Sequence, residues 1–227
     1  TGVRGREAVV ERQVEEVEDQ WVLSYVLAPP EARSLALSSE FSHVNLTPLM
    51  TCASLVSRSV TVDGQRSARE TPAVKGKLFV GQDSSVCTGL PFHVDGPFFV
   101  ARNRNKAYLV MDKPESSANP SLRSRALALG KWNKQLFASV CTDLVPEHMV
   151  DLRNELNGHD AASLYRFWPS AKRTMKPFSI MLPGQMYLRL GELPLYLSRS
   201  VSDGGFKRMK DGYFKTQAVS PLVEEVR

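Results

Sequence analysis

The run Thr88-Gly89-Leu90-Pro91-Phe92-His93-Val94-Asp95-Gly96-Pro97-Phe98-Phe99 constrains this chain more tightly than any other stretch. Two turn signals, Thr88-Gly89-Leu90-Pro91 and Asp95-Gly96, bracket one short apolar strand, and a second apolar strand follows at once. Glycine admits positive φ and proline fixes φ, so both punctuate turns. The run therefore reads as a β-hairpin. Strand alternation sets His93 on the face opposite Phe92 and Val94, where a hydrogen-bonded structural role is expected rather than acid–base chemistry.

Other strands surround the hairpin. Trp21 to Leu27 is rich in β-branched and aromatic residues and stops at Pro29-Pro30, which predicts a buried strand. Ala32 to Ser39 suits a short helix. Pro48 to Val62 predicts a strand ending at Asp63-Gly64, with a polar loop over 63–75. Lys77 to Val80, Phe92 to Val94, Pro97 to Ala101 and Lys106 to Met111 complete an antiparallel group of short strands.

Downstream the period changes. Pro114 to Ser121 reads as a loop that caps a helix in which Leu122, Ala126, Leu129, Trp132, Leu136, Val140 and Leu144 share one apolar face. Pro146 breaks or restarts that helix, and Met149, Leu152 and Leu156 extend the stripe to a cap at Asn157-Gly158. A further helix over Phe178 to Leu190 is interrupted at Pro183-Gly184. Phe206 to Met209 and Tyr213 to Thr216 read as short strands or edges. The fold class is α+β, with short antiparallel strands and a hairpin packed against amphipathic helices.

The chain has 227 residues, 42% of them hydrophobic, enough for an ordinary packed core. No apolar run approaches the ~18 residues needed to span a bilayer, and the first twenty residues are charged rather than signal-like. A cytoplasmic location without a membrane partner is expected. The chain opens on Thr1, as a processed product or a piece cut from a longer polypeptide would. Cys52, Cys87 and Cys141 are odd in number and widely spaced, which predicts reduced thiols serving as small core residues. The net charge of +5 comes with an acidic start, Glu11 to Asp19, and with basic clusters at Arg102, Arg104 and Lys106 and from Arg166 to Lys176. Those clusters suit a solvated face. An electrostatic module for nucleic acid or another acidic surface is the alternative, and nucleic acid is the less expected partner because no exposed aromatics interleave with the cations.

No catalytic pattern assembles. His43, His93, His148 and His159 lack metal-ligand spacing, so no metal is expected. No glycine-serine-glycine elbow marks a nucleophile. Neither the phosphate-loop pattern nor the dinucleotide fingerprint occurs, Gly76-Lys77 reads as the start of a strand, and Asp203-Gly204-Gly205 reads as a turn. Glu15-Glu16 and Glu224-Glu225 lie in charged surroundings, as solvated carboxylates do.

The order of segments is more specific than any one of them. Gly76-Lys77-Leu78-Phe79-Val80, then Thr88 to Val100, then Asn103-Arg104, resembles the repeating region of the sacsin family. Trp132-Asn133-Lys134-Gln135-Leu136 with Val145-Pro146, Tyr165-Arg166-Phe167-Trp168-Pro169, Leu193-Pro194-Leu195-Tyr196 and the earlier Trp21-Val22-Leu23 are similar to that family's other landmarks. The resemblance spans roughly residues 10–216. Val80-Gly81-Gln82-Asp83-Ser84-Ser85 departs from it, since the family tends to an apolar, proline-containing run there.

The resemblance implies a segment that follows an ATPase domain related to that of heat shock protein 90. Residues 1–62 would be the terminal part of that domain or its junction, and residues 76–227 a middle-like α+β domain. The implied function is a non-catalytic part of a chaperone or co-chaperone that couples the upstream ATPase domain of the same chain to clients and to other chaperones such as heat shock protein 70. No catalytic residue and no cofactor is expected in the segment; ATP and magnesium would belong to the full-length protein. As an alternative, Arg102 and Arg104 would contact a terminal phosphate, because the fixed fork of arginine stabilises phosphate charge.

Overall fold

The structure is a computed structural model, and it describes residues 15–69, 71–80, 83–103, 106–109, 120–156, 161–174, 178–198 and 205–211. Its strands are β1 (Glu15–Leu27), β2 (Leu49–Val62), β3 (Gln65–Arg69), β4 (Lys77–Val80), β5 (Asp83–Cys87), β6 (His93–Asp95), β7 (Val100–Asn103), β8 (Lys106–Leu109), β9 (Tyr196–Ser198) and β10 (Gly205–Lys207). Its helices are α1 (Pro30–Ala36), α2 (Pro120–Ser139), α3 (Val145–Leu156), α4 (Phe178–Met181) and α5 (Tyr187–Glu192). The fold is α+β.

The main sheet runs β1-β2-β6-β4-β5, with β3 also paired to β2. It spans both of the segments that the sequence sets apart at residue 62, because β2 pairs with β1 on one side and with β6 on the other. Leu78, Cys52 and Val94 form its buried row, completed by Val86 on β5. Trp132, Leu136, Val140, Leu144, Met149 and Leu152 close over that face. Burying such side chains stabilises by about 2 kcal/mol each.

The expected hairpin at Asp95-Gly96 does not form. β6 pairs with β2 and, in parallel, with β4, whereas β7 pairs with β8 in a separate two-stranded ribbon. The helix competes for the chain after Gly96 and wins. Trp132 Nε1–H donates to the Pro97 carbonyl at 2.8 Å, and the Asn133 amide accepts from Phe99 N–H and donates to the Phe99 carbonyl, both at 2.8 Å. Asn133 thus supplies the donor and acceptor that a neighbouring strand would have offered. The hairpin lies instead at Asp63-Gly64, whose φ values of 51° and 77° suit a type I′ turn, and it pairs β2 with β3 where a polar loop is expected.

The prolines behave more mildly than sequence alone suggests. Pro146 neither ends nor restarts the long helix; a π turn over Val140–Leu144 carries α2 into α3 without a gap. A second π turn, Leu182–Met186, carries α4 into α5 past Pro183 and Gly184. The expected cap at Asn157-Gly158 and the strand at Tyr213 to Thr216 lie outside the described residues.

Turn glycines hold the sheet's margin. Gly76 N–H donates to the Leu90 carbonyl and the Gly76 carbonyl accepts from Thr88 N–H, at 2.8 and 2.9 Å. A Cβ on Gly76 would stand 2.2 Å from the Phe92 carbonyl oxygen, so only glycine fits.

Candidate functional site

β1 is a strand as expected, but only one of its faces is buried. Val22, Ser24 and Val26 point inward, while Trp21, Leu23, Tyr25 and Leu27 are 41%, 64%, 73% and 61% exposed. The apolar run reads as buried because both of its faces are nonpolar; the sheet position decides otherwise, since β1 is an edge strand.

Residues opposite one another in a ladder share a face, so the outer face can be read across the sheet. Leu23 stands opposite Ala53, which stands opposite His93. Tyr25 stands opposite Thr51, which stands opposite Asp95, beside Phe79. Small residues on β2 lie between larger ones on β1 and β4. The result is a shallow depression of about 320 Å³ lined by Leu23, Thr51, Ala53, Phe79, His93 and Asp95.

His93 sits at its rim. Its Nδ1 accepts from the Lys77 backbone N–H at 3.2 Å, so in the neutral ring Nε2 carries the proton. Its ring is tilted against Trp21 at 5.9 Å and meets Phe79 edge-on at 5.2 Å. Burial, and then the Lys77 charge, pushes its pKa down; burial pushes the Asp95 carboxyl up against a stabilising Gly96 N–H. A neutral donor and a carboxylate acceptor over an apolar floor suit a polypeptide segment with apolar side chains. The structural role expected for His93 is the one its backbone bond describes.

Of the two arginines expected to contact phosphate, only Arg102 lies among the described residues. Arg102 lies in β7 opposite Ala107, in the separate ribbon, and Arg104 lies outside the described residues. In the second basic cluster, Arg166 is engaged internally: its guanidinium donates to the Val56 carbonyl and lies 4.6 Å above the Phe167 ring. Lys172 and Arg173 are exposed, and Lys176 is outside the described residues. Cys52 and Cys141 are core thiols, and burial pushes Cys141 up to about 12; Cys87, expected in the core, is exposed. Glu15 and Glu16 are exposed, and Glu15 pairs with Arg69 at 3.0 Å.

A polar cluster escaped the sequence reading. Fully buried His148, on α3, bridges Ser24 Oγ of β1 at 2.8 Å through Nδ1 and Ser54 Oγ of β2 at 2.7 Å through Nε2. Asp151 Oδ2 accepts from Ser24 at 2.5 Å. Its one signal was the spacing of Leu144, His148 and Leu152, which places the imidazole within the apolar stripe. The arrangement of serine, imidazole and carboxylate has the parts of a nucleophilic relay, but both serines are sealed from solvent and it acts as a clamp.

Among the described residues no helix is long and apolar enough to cross a membrane, and no group of His, Cys, Asp and Glu is placed to hold a metal. Comparisons with protein-family models, with curated proteins and with solved structures returned no match.

Proposed function

We propose that this chain is a non-catalytic protein-binding module of a sacsin-like chaperone or co-chaperone, coupling an upstream ATPase domain to non-native client segments held on the outer face of its sheet. The observation that carries the reading is the exposed stripe Trp21, Leu23, Tyr25 and Leu27, continuous with the depression floored by Thr51 and Ala53. Contiguous exposed apolar surface on a folded domain marks interaction sites. The sacsin-like order of landmarks supports the coupling to an ATPase, and heat shock protein 70 belongs among the partners of such an assembly.

The test is light scattering of heat-unfolded citrate synthase in the presence of the full chain. Suppression of aggregation is expected, and Leu49→Glu with Ala53→Glu, which place carboxylates opposite Leu27 and Leu23 while leaving the sequence of β1 unchanged, should remove most of it. A wild-type chain without effect, or variants as effective as the wild type, would sink the reading.

A further inference from the structure

We propose that the outer edge of β1 is a homodimer seam, in which two copies pair their Trp21–Leu27 blocks antiparallel about Ser24. The proposal does not depend on client binding.

β1 is bonded to β2 alone, so its other edge offers a row of backbone donors and acceptors that no strand among the described residues takes up. Folded proteins blunt such edges with charge, proline or bulges. The first half of β1 has that protection in Glu15, Glu16, Glu18 and Asp19, and the bulge of the ladder, at Val56 of β2, falls beside the step from Gln20 to Trp21. Trp21-Val22-Leu23-Ser24-Tyr25-Val26-Leu27 has none of the three.

The unprotected block is complementary to itself. In an antiparallel pairing centred on Ser24, Trp21 meets Leu27 and Leu23 meets Tyr25 on the outer face, while Val22 meets Val26 on the inner face. Aromatic–aliphatic and β-branched pairs of this kind are the stabilising cross-strand contacts of sheets. The charges of β1 itself fit the same register. The acidic half of each strand runs out past Pro29-Pro30 of the other copy, so the two acidic blocks lie at opposite ends of the seam.

The helical layer leaves room. His148 touches both Ser24 and Ser54, which sets α3 over the boundary between β1 and β2. With strands about 4.8 Å apart, the two copies of α3 would lie about 10 Å apart across the two-fold axis, the ordinary distance between packed helices. The contact is isologous and smaller than a standard interface, so the dimer dissociates on dilution.

Sedimentation velocity of the full chain over a dilution series tests this. The wild type should pass from monomer to dimer with concentration. Leu23→Lys and Tyr25→Glu, both at exposed positions, should each weaken self-association by about tenfold or more while keeping the wild-type far-ultraviolet circular dichroism. Mixing the two variants should restore the dimer, because positions 23 and 25 face each other across the seam. Ala53→Glu should leave the dimer intact, which separates this result from loss of client binding. A wild type that stays monomeric at every concentration would overturn the proposal. So would a dimer indifferent to both substitutions, a mixture that remains monomeric, or an edge that takes an unrelated extended apolar peptide without self-association.

Discussion

Ser24 Oγ stands 2.5 Å from Asp151 Oδ2, and this contact sets the protons of the whole buried cluster. Ser24 has one proton and gives it to the carboxylate, so its oxygen accepts from His148 Nδ1–H. His148 Nε2 is then an acceptor, and Ser54 must donate. The imidazole is neutral, held between two hydroxyls and edge-on to the Phe92 ring at 5.4 Å.

Burial pushes the His148 pKa down from 6.5 to about 4. The unfolded chain therefore binds a proton that the folded chain refuses between those values. Stability is full above pH 6.5 and falls as pH drops toward 4, by about 1.4 kcal/mol per unit and about 3 kcal/mol in all. His93, also depressed, adds a smaller contribution of the same sign. Urea midpoints measured across this range should show the slope, and His148→Gln should flatten most of it. A wild-type midpoint that does not move between pH 6.5 and 4 would contradict the clamp as described.

Gly76→Ala and Gly184→Ala should part company. The first sets a Cβ 2.2 Å from the Phe92 carbonyl oxygen and 2.4 Å from that of Leu90, so backbone must move, at a cost of about 3 kcal/mol or more. The second meets nothing within 4 Å in a helical stretch, and should be neutral or stabilise by up to about 1 kcal/mol. Thermal melts of the two variants decide the matter.

Arg166→Ala should loosen the sheet at its bulge. Gln20 faces Ser57 and Trp21 faces Leu55, which leaves Val56 without a partner on β1. The Arg166 guanidinium donates to the Val56 carbonyl from a distant 3-10 turn. Its loss should cost about 1 to 3 kcal/mol, with Arg166→Lys recovering only part, because a point ammonium lacks the guanidinium fork. Hydrogen exchange at 55–57 should rise in the alanine variant.

Local pattern made the strands at Trp21 to Leu27 and Pro48 to Val62 legible, and likewise the stripe from Trp132 to Leu152. Each is written in periodicity that tertiary structure obeys. What sequence could not show was pairing. Asp63-Gly64 and Asp95-Gly96 are the same dipeptide, yet only the first closes a hairpin, because Trp132 and Asn133 capture the backbone after Gly96 from more than thirty residues away. The site was hidden for the same reason. Leu23, Ala53 and His93 share a row only once β2 lies between β1 and β6. Arg102 stands out in the sequence by its charge, which says nothing of which sheet its strand joins.

Asn133 carries the last test. Fully buried at the start of the helical stripe, it satisfies both backbone groups of Phe99 as a strand would. Asn133→Leu keeps the branched outline, at a larger volume, but leaves the half-buried N–H and carbonyl of Phe99 without their partner, each costing about 1 to 3 kcal/mol when unpaired. The expected loss is about 2 to 4 kcal/mol, and it should fall on one region: amide exchange at 98–100 should accelerate well beyond that in β1 and β2. Uniform acceleration would mean that Asn133 supports the fold only through packing. Selective acceleration would show that a side-chain amide here does the work of a missing strand.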